Sequence, residues 1–354
     1  VDNSLFADWK TLTNYDRIKQ ILRGEMPTPR IVEILPSSDC PHECPGCSAQ
    51  HLKETQSKFM DFDRLSTLIE EIQRFGFPAS PVSYVLFSGG EPTMHPRITD
   101  LIKLVRKLGI EVGLYTNGHY FSNSELARIA TENCSFIRIA MDAATSETYA
   151  KTHRSPQSFD ALCRNVANLA TYRAHAESAG SAKGTIGLKF LISTLNYGEV
   201  HLAAKIASKL GVDYIRFKTH RNSKYEPSSK QMNMARTQIL RATEMLGNNR
   251  FAVIDLTSKF KVKRKCFLTP LHPVISTNGD VYICPNLHPY SNSHRIGNVM
   301  SMPFEQIWGS KIHFQAIANI SQEQCQLYDC PIGQTQEFVI NYVLNPKTNC
   351  GAAP

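Results

Sequence analysis

Cys40-Pro-His-Glu-Cys44-Pro-Gly-Cys47 places three cysteines within eight residues, in a C-x3-C-x2-C spacing. The run before it, Arg30-Ile-Val-Glu-Ile-Leu-Pro36, reads as a buried strand. Three thiols on one tight loop after a strand can point at a single centre. Thiolate sulfur is a soft ligand that selects zinc, copper(I) or iron–sulfur clusters. Zinc and most iron–sulfur clusters take four protein ligands. No fourth cysteine lies nearby, so one coordination position is left open. On a redox cluster that position can hold a small molecule and pass it an electron. His42 and Glu43, inside the loop, are expected to be solvated.

Outward from this loop the chain alternates strands and helices. Leu65, Leu68, Ile69 and Ile72 recur at helical spacing. The apolar runs that follow end in Ser88-Gly-Gly-Glu-Pro92, in Thr116-Asn-Gly118, at Asp142, near Asn196 and in Lys218-Thr-His-Arg221. With the first run they make six strand candidates separated by helices. This predicts a parallel sheet, open or closed into a partial barrel. Functional residues of such sheets belong at the C-terminal strand ends, which here are polar and glycine-rich. A polar break at residues 222–230 separates this region from a helix near 231–246, a short strand and a basic patch. Val274-Ile-Ser-Thr-Asn-Gly-Asp-Val-Tyr-Ile283 then reads as a hairpin. The expected organisation is a lead-in helix in 1–29, a barrel in 30–230, and a linker helix with a small second domain in 231–354.

The 354 residues are 42% hydrophobic and 20% charged, the profile of a globular enzyme. No apolar run is long enough to span a membrane, and no signal peptide is visible at the start. Of ten cysteines, three lie at 40–47 and five between Cys266 and Cys350; only Cys134 and Cys163 fall in the middle. Clusters at the two ends read as metal ligation in a reducing cytosol rather than as disulfides, so the expected location is cytoplasmic. A net charge of +8 attracts anions at long range, but no membrane or nucleic-acid partner is expected.

The three cysteines together with Ser88-Gly-Gly-Glu-Pro92 resemble the radical S-adenosylmethionine (radical SAM) superfamily. The resemblance implies a partial (β/α)6 TIM-like barrel followed by a small C-terminal α+β auxiliary iron–sulfur domain. It implies that Cys40, Cys44 and Cys47 hold a [4Fe–4S] cluster whose fourth iron is chelated by S-adenosylmethionine. Reductive cleavage of that cofactor then gives a 5′-deoxyadenosyl radical that abstracts a hydrogen atom from the substrate. By the same resemblance Ser88, Gly89, Gly90 and Glu91 meet the methionine moiety, Glu91 through its ammonium. Thr116 and Asn117 meet the nucleoside, Asp142 the ribose or a carboxylate, and Arg154 the methionine carboxylate. The chain departs from the family at Gly46, where an aromatic residue near the adenine is usual.

Cys266-x12-Gly279-x4-Cys284 resembles the opening of the SPASM and twitch domains. That implies one auxiliary iron–sulfur cluster, of [4Fe–4S] type, on Cys266, Cys284, Cys325 and Cys330, with Cys350 able to replace one of the last two. A structural zinc site is the plainer alternative. Trp308 is read as core. The expected activity is that of a radical SAM oxidoreductase: hydrogen abstraction, then oxidation of the substrate radical through the auxiliary cluster. Dehydrogenation of a small polar, sugar- or cyclitol-like substrate heads the list, because no leader-peptide domain precedes the barrel and Lys189, Lys218, His220 and Arg221 suit a hydroxylated or anionic molecule. Peptide cross-linking is an alternative. So is epimerisation, in which Cys163 would return a hydrogen atom. Flavodoxin or ferredoxin is the expected electron donor. A zinc-stabilised RNA-binding protein is the alternative from another class.

Overall fold

The computed structural model describes residues 13–76, 80–178, 180, 184–220, 224–248, 250–257, 266–286, 292–321 and 339. Ten strands form one sheet: β1 Ile31–Ser37, β2 Tyr84–Gly89, β3 Glu111–Thr116, β4 Cys134–Ala140, β5 Thr185–Ile192, β6 Tyr214–Thr219, β7 Ala252–Leu256, β8 Val274–Ile275, β9 Asp280–Tyr282 and β10 Arg295–Asn298. Their order is β10-β9-β8-β1-β2-β3-β4-β5-β6-β7. β1 to β7 pair in sequence order and in parallel.

Alternation within each strand explains the layers. Val32 and Ile34, Val85 and Phe87, Val112 and Leu114, Ile137 and Ile139, Ile186 and Leu188, and Ile215 and Phe217 are at most 2% exposed. They pack on the helices Phe62–Arg74, Ile98–Lys107, Ser124–Asn133, Phe159–Ser178 and Val200–Lys209, whose apolar residues share one core with them. Burying a side chain of this size contributes roughly 1.5–3 kcal/mol. The helix starts are set locally. Asp61 accepts from the backbone of Asp63 and Arg64, Asn123 from that of Glu125 and Leu126, and Thr145 from that of Thr148. The intervening residues of each strand face away from these helices, onto the concave side of the curved sheet.

Two boundaries differ from the sequence expectation. The helix Ser229–Leu246, opened by a capping box of Ser228 and Gln231, packs on Val200–Lys209 and on β7. β7 lies parallel to β6, with Tyr214 opposite Ala252. This helix and strand are therefore one more βα unit of the barrel, not a linker. The polar break at 222–230 lengthens a loop without ending the rhythm.

The C-terminal hairpin also continues the sheet. β8 pairs in parallel with β1, Glu33 opposite Val274, and β9 and β10 follow antiparallel. Polar contacts lock this region to the barrel. Arg64 Nε donates to Val299 O at 2.8 Å, and Phe304 N to Glu71 Oε2 at 3.0 Å. Trp308 is core as expected: it stacks on Phe304 and donates from Nε1 to Pro27 O at 2.8 Å.

His313, on the helix Lys311–Ala318, is fully buried beside Trp308 and accepts from Gly309 N at 3.1 Å. Burial pushes its imidazole from 6.5 down to about 4. A base depressed in the folded state contributes stability present above its unfolded pKa and lost as pH falls through the folded one. Between pH 8 and pH 4 the loss from this residue is about 3 kcal/mol. His313→Gln keeps an acceptor without the charge. Its urea-unfolding stability, measured across this window, is expected to fall by about 3 kcal/mol less than that of the native chain. Parallel pH profiles would refute the assignment.

Candidate metal centre

The cysteine loop leaves β1 and is held on three sides. Cys40 N donates to Asp39 Oδ1 at 2.8 Å, and Lys53 Nζ donates to the carbonyls of Cys40 and His42. Cys47 N donates to Cys44 O at 3.1 Å, closing the turn between the second and third cysteines. Gly46 inside that turn has φ +71. A left-handed position there accounts for glycine where an aromatic residue would be strained.

β2 ends against the underside of the loop. Gly90 N donates to Ser37 O at 3.0 Å and Glu91 N to Asp39 O at 2.7 Å. A Cβ on Gly89 would lie 2.6 Å from Ser37 O, and one on Gly90 would lie 2.3 Å from Asp39 O and 2.4 Å from Ser38 O. The paired glycines are what let two backbones meet here.

Glu91 is completely buried. Oε1 accepts from Thr93 N at 3.1 Å, from Thr116 Oγ1 at 2.7 Å and from the Thr93 hydroxyl; Oε2 accepts from Asn117 N at 2.7 Å. Burial pushes this carboxyl up, against the donors from Asn117, Thr93 and Thr116. The carboxylate thus ties the end of β2 to the end of β3 from within. It presents no exposed oxygen to a ligand ammonium, which leaves the glycine backbone as the accessible part of that strand end. Asn117 Nδ2 reaches Cys40 Sγ at 3.5 Å, while its Oδ1 accepts from His119 N at 2.8 Å. One chain of contacts therefore links Cys40, Asn117, Glu91 and Thr116.

The other strand-end residues are placed differently. The Ser88 hydroxyl donates to the Glu33 carboxylate. Asp142, at φ +44, accepts from Leu191 N at 2.6 Å and sits 3.7 Å from Lys189 Nζ. Arg154, also at φ +44, caps the helix Ser146–His153 and is exposed, with no side-chain partner among the described residues. Cys163 lies on the outer helix Phe159–Ser178, packed against the core between helices and sheet, and burial pushes its thiol up to about 11. Its thiol, like that of Cys44, acts on the Tyr149 hydroxyl. Cys134 starts β4, buried, with its thiol pushed up to about 12.

His42 is 3% exposed, not solvated. It packs edge-on against His119, His153 and Tyr149, with ring centroids 5.6, 5.5 and 6.5 Å away. Both of its ring nitrogens, and His153 Nε2, are buried without a hydrogen-bond partner. Donor atoms of His42, Cys44 and His153 all lie within 4.8 Å of one another. The Cys44 thiol also approaches His153 O at 3.7 Å, across 109 residues of sequence. That separation hides His153 from any local reading.

Burial pushes the Cys40 thiol up to about 11 and the Cys44 thiol higher still, and each faces the other sulfurs of the loop. Burial also holds His42 and His153 neutral, both down to about 3. A metal there would supply the charge that buried thiolates need. The donor set fits an iron–sulfur cluster on Cys40, Cys44 and Cys47.

In the second region Cys266 precedes the hairpin, half-buried against Leu268, and Cys284 follows it, buried in the main core. Cys325, Cys330 and Cys350 lie outside the described residues, as does Arg221. The hairpin turn touches the segment that leaves the cysteine loop. Thr277 Oγ1 donates to Gln56 Oε1 at 2.8 Å, and Ser57 N donates to Asn278 Oδ1 at 2.8 Å.

The cysteine loop thus stands at the end of the first strand of a parallel, helix-wrapped sheet. Residues 34–176 match the radical SAM superfamily and residues 266–331 match SPASM, an iron–sulfur cluster-binding domain. The chain thus carries a radical SAM domain and a SPASM domain. The first domain implies a [4Fe–4S] cluster and S-adenosylmethionine, and the second implies auxiliary iron–sulfur binding. The chain is 24% identical over 326 residues to the tungsten-containing aldehyde ferredoxin oxidoreductase cofactor-modifying protein of Pyrococcus furiosus, covering 86% of this chain and 87% of that one. It is 26% identical to mycofactocin maturase MftC of Mycobacterium ulcerans, over 68% of this chain and 64% of that protein. In fold it resembles Streptococcus suis SuiB bound to S-adenosylmethionine, with TM-score 0.65 and 13% identity over 86% of this chain and 72% of that one. Among the described residues no helix is long and apolar enough to cross a membrane.

Proposed function

We propose that this radical SAM enzyme is a maturation-type oxidoreductase, acting on a peptide or a small cofactor precursor by hydrogen abstraction and loss of an electron. When bound, the first cluster with S-adenosylmethionine supplies a hydrogen-abstracting radical, and one auxiliary cluster supplies an acceptor for the electron. The chain's own residues build the setting. Cys40, Cys44 and Cys47 hold the first cluster, with Asn117 donating toward the Cys40 sulfur. The backbone of Gly89 and Gly90 offers the methionine moiety its closest approach, and Arg154 offers its carboxylate a guanidinium. Thr116 and Asn117 border the nucleoside. Asp142 is held beside the site by Lys189 and Leu191 N. Cys266 and Cys284 contribute to the second cluster, with Cys325 and Cys330 completing it.

The observation that carries this reading is the contact of Thr277 and Asn278 with Gln56 and Ser57. It joins the auxiliary region to the segment just beyond the cysteine loop. The names of the relatives, a cofactor-modifying protein and a maturase, support the substrate class. Dehydrogenation of a sugar- or cyclitol-like alcohol is the second reading, favoured by the polar Tyr115, Lys189 and Arg216 side chains on the concave face of the sheet. The electron donor is a small reduced protein such as flavodoxin or ferredoxin, and the setting is the cytoplasm.

Anaerobic reconstitution tests the core of the proposal. About eight irons per chain, with reductive cleavage of S-adenosylmethionine, is the expected result. Colourless protein holding stoichiometric zinc and cleaving nothing would end it. Deuterated substrates then separate outcomes: label in 5′-deoxyadenosine with an oxidised product supports electron loss, and solvent deuterium in an otherwise unchanged product refutes it.

A further inference from the structure

The concave face of the sheet carries two arginines in the midst of apolar strands. Tyr115 on β3 lies opposite Arg138 on β4, Arg138 opposite Gly187 on β5, and Gly187 opposite Tyr214 on β6. One step nearer the strand ends, Lys189 lies opposite Arg216. Gly187 has no side chain to intervene; a Cβ there would fall 2.0 Å from the Tyr214 ring. Arg138 therefore reaches past β5, donating from Nε to the Tyr214 hydroxyl at 3.2 Å and from Nη1 to the Tyr115 hydroxyl. Its guanidinium carbon stands 4.5 Å from the Tyr115 ring centre, and that of Arg216 stands 5.9 Å from the same ring.

Two guanidiniums thus flank one tyrosine. Asp142, the carboxylate beside Lys189, accepts from Leu191 N at 2.6 Å and stands 3.7 Å from Lys189 Nζ. Arg216 forms no ion pair among the described residues, and its Nε is buried without a hydrogen-bond partner. A planar guanidinium with an unused buried donor is shaped for an oxyanion. Exposure increases from Arg138, which is buried, to Arg216 and Lys189, which are partly open, so the charge is reached from the strand ends, where the cysteine loop sits.

We propose that Arg216, with Lys189 beside it, is the anchor for an oxyanion, a carboxylate or phosphate, carried by the substrate. Burial and the neighbouring Arg138 charge push the Arg216 guanidinium down to about 10, a strain that a bound anion relieves. The inference rests on the functional reading above and narrows its substrate to an anionic peptide or precursor. A phosphate and a carboxylate would use the same donors.

The test is calorimetric titration of the reconstituted holoprotein with inorganic phosphate and, separately, with succinate. Saturable binding of either by the native chain is expected, weakened about tenfold or more in Arg216→Met. Lys189→Gln, at the more open position, is expected to weaken it by a smaller factor. S-adenosylmethionine affinity is measured on Arg216→Met and is expected to stay unchanged, which separates a lost anchor from a lost fold. If neither anion binds saturably, or if both variants bind as the native chain does while S-adenosylmethionine still binds, the anchor is refuted and the radical reading stands. If S-adenosylmethionine does not bind the native holoprotein, the functional reading fails by itself. Whichever of phosphate and succinate binds more tightly identifies the source of the oxyanion.

Discussion

Gly90→Ala is expected to destabilise the protein by about 3–5 kcal/mol and to strip most of the iron from the first site. The added methyl group would meet two backbone oxygens, Asp39 O at 2.3 Å and Ser38 O at 2.4 Å. Neither can rotate away as a side-chain tip would, so β2 or the cysteine loop must move. Movement of the loop breaks the Gly90 N–Ser37 O and Glu91 N–Asp39 O bonds that seat it. Denaturation midpoints and iron content, compared with Gly109→Ala, measure the effect. Gly109 has open space around its Cβ position, though its left-handed φ of +77 makes it a stringent control for backbone strain. A Gly90→Ala protein with native iron content would show that the close approach is dispensable.

Glu91→Ala should be comparably severe, at about 3–5 kcal/mol. Its carboxylate satisfies Asn117 N, Thr93 N and two hydroxyls in a place with no exposure. Deleting it leaves these donors buried and unpaired, each costing roughly 1–3 kcal/mol before relaxation. Glu91→Gln retains one acceptor oxygen and should lose less than half as much. The difference matters for function, because Asn117 is the residue that points its amide at Cys40. If Glu91→Ala kept native stability and only weakened S-adenosylmethionine binding, the side chain would be a ligand and not an internal brace.

The cysteine triad and the strand–helix rhythm were legible because both are local. Eight residues contain the loop, and each strand of a parallel sheet declares itself as an apolar run. Even Gly46, a departure when read by resemblance, has a local cause in its left-handed turn. What stayed hidden depends on contacts made far along the chain. His153 meets Cys44 across 109 residues, and nothing near Cys44 announces it. The direction of Glu91 is set by Thr116 and Asn117 on the next strand. Arg138 and Arg216 each sit between two apolar neighbours in their strands, and only the pairing of β3 through β6 brings both to Tyr115. The helix Ser229–Leu246 and β7 were hidden by a polar loop that resembles a domain boundary.

The pairing of β8 with β1 has a consequence beyond the site. A barrel rolled short of closure keeps two open margins, and an uncovered strand margin invites pairing with a second molecule. Here β8 covers Glu33 and Ile34 of the margin strand, and β9 and β10 extend the cover by antiparallel pairing. The C-terminal region therefore also acts as a guard against strand exchange between copies. A barrel produced without it would leave its first strand, the one that carries the cysteine loop, open to self-association.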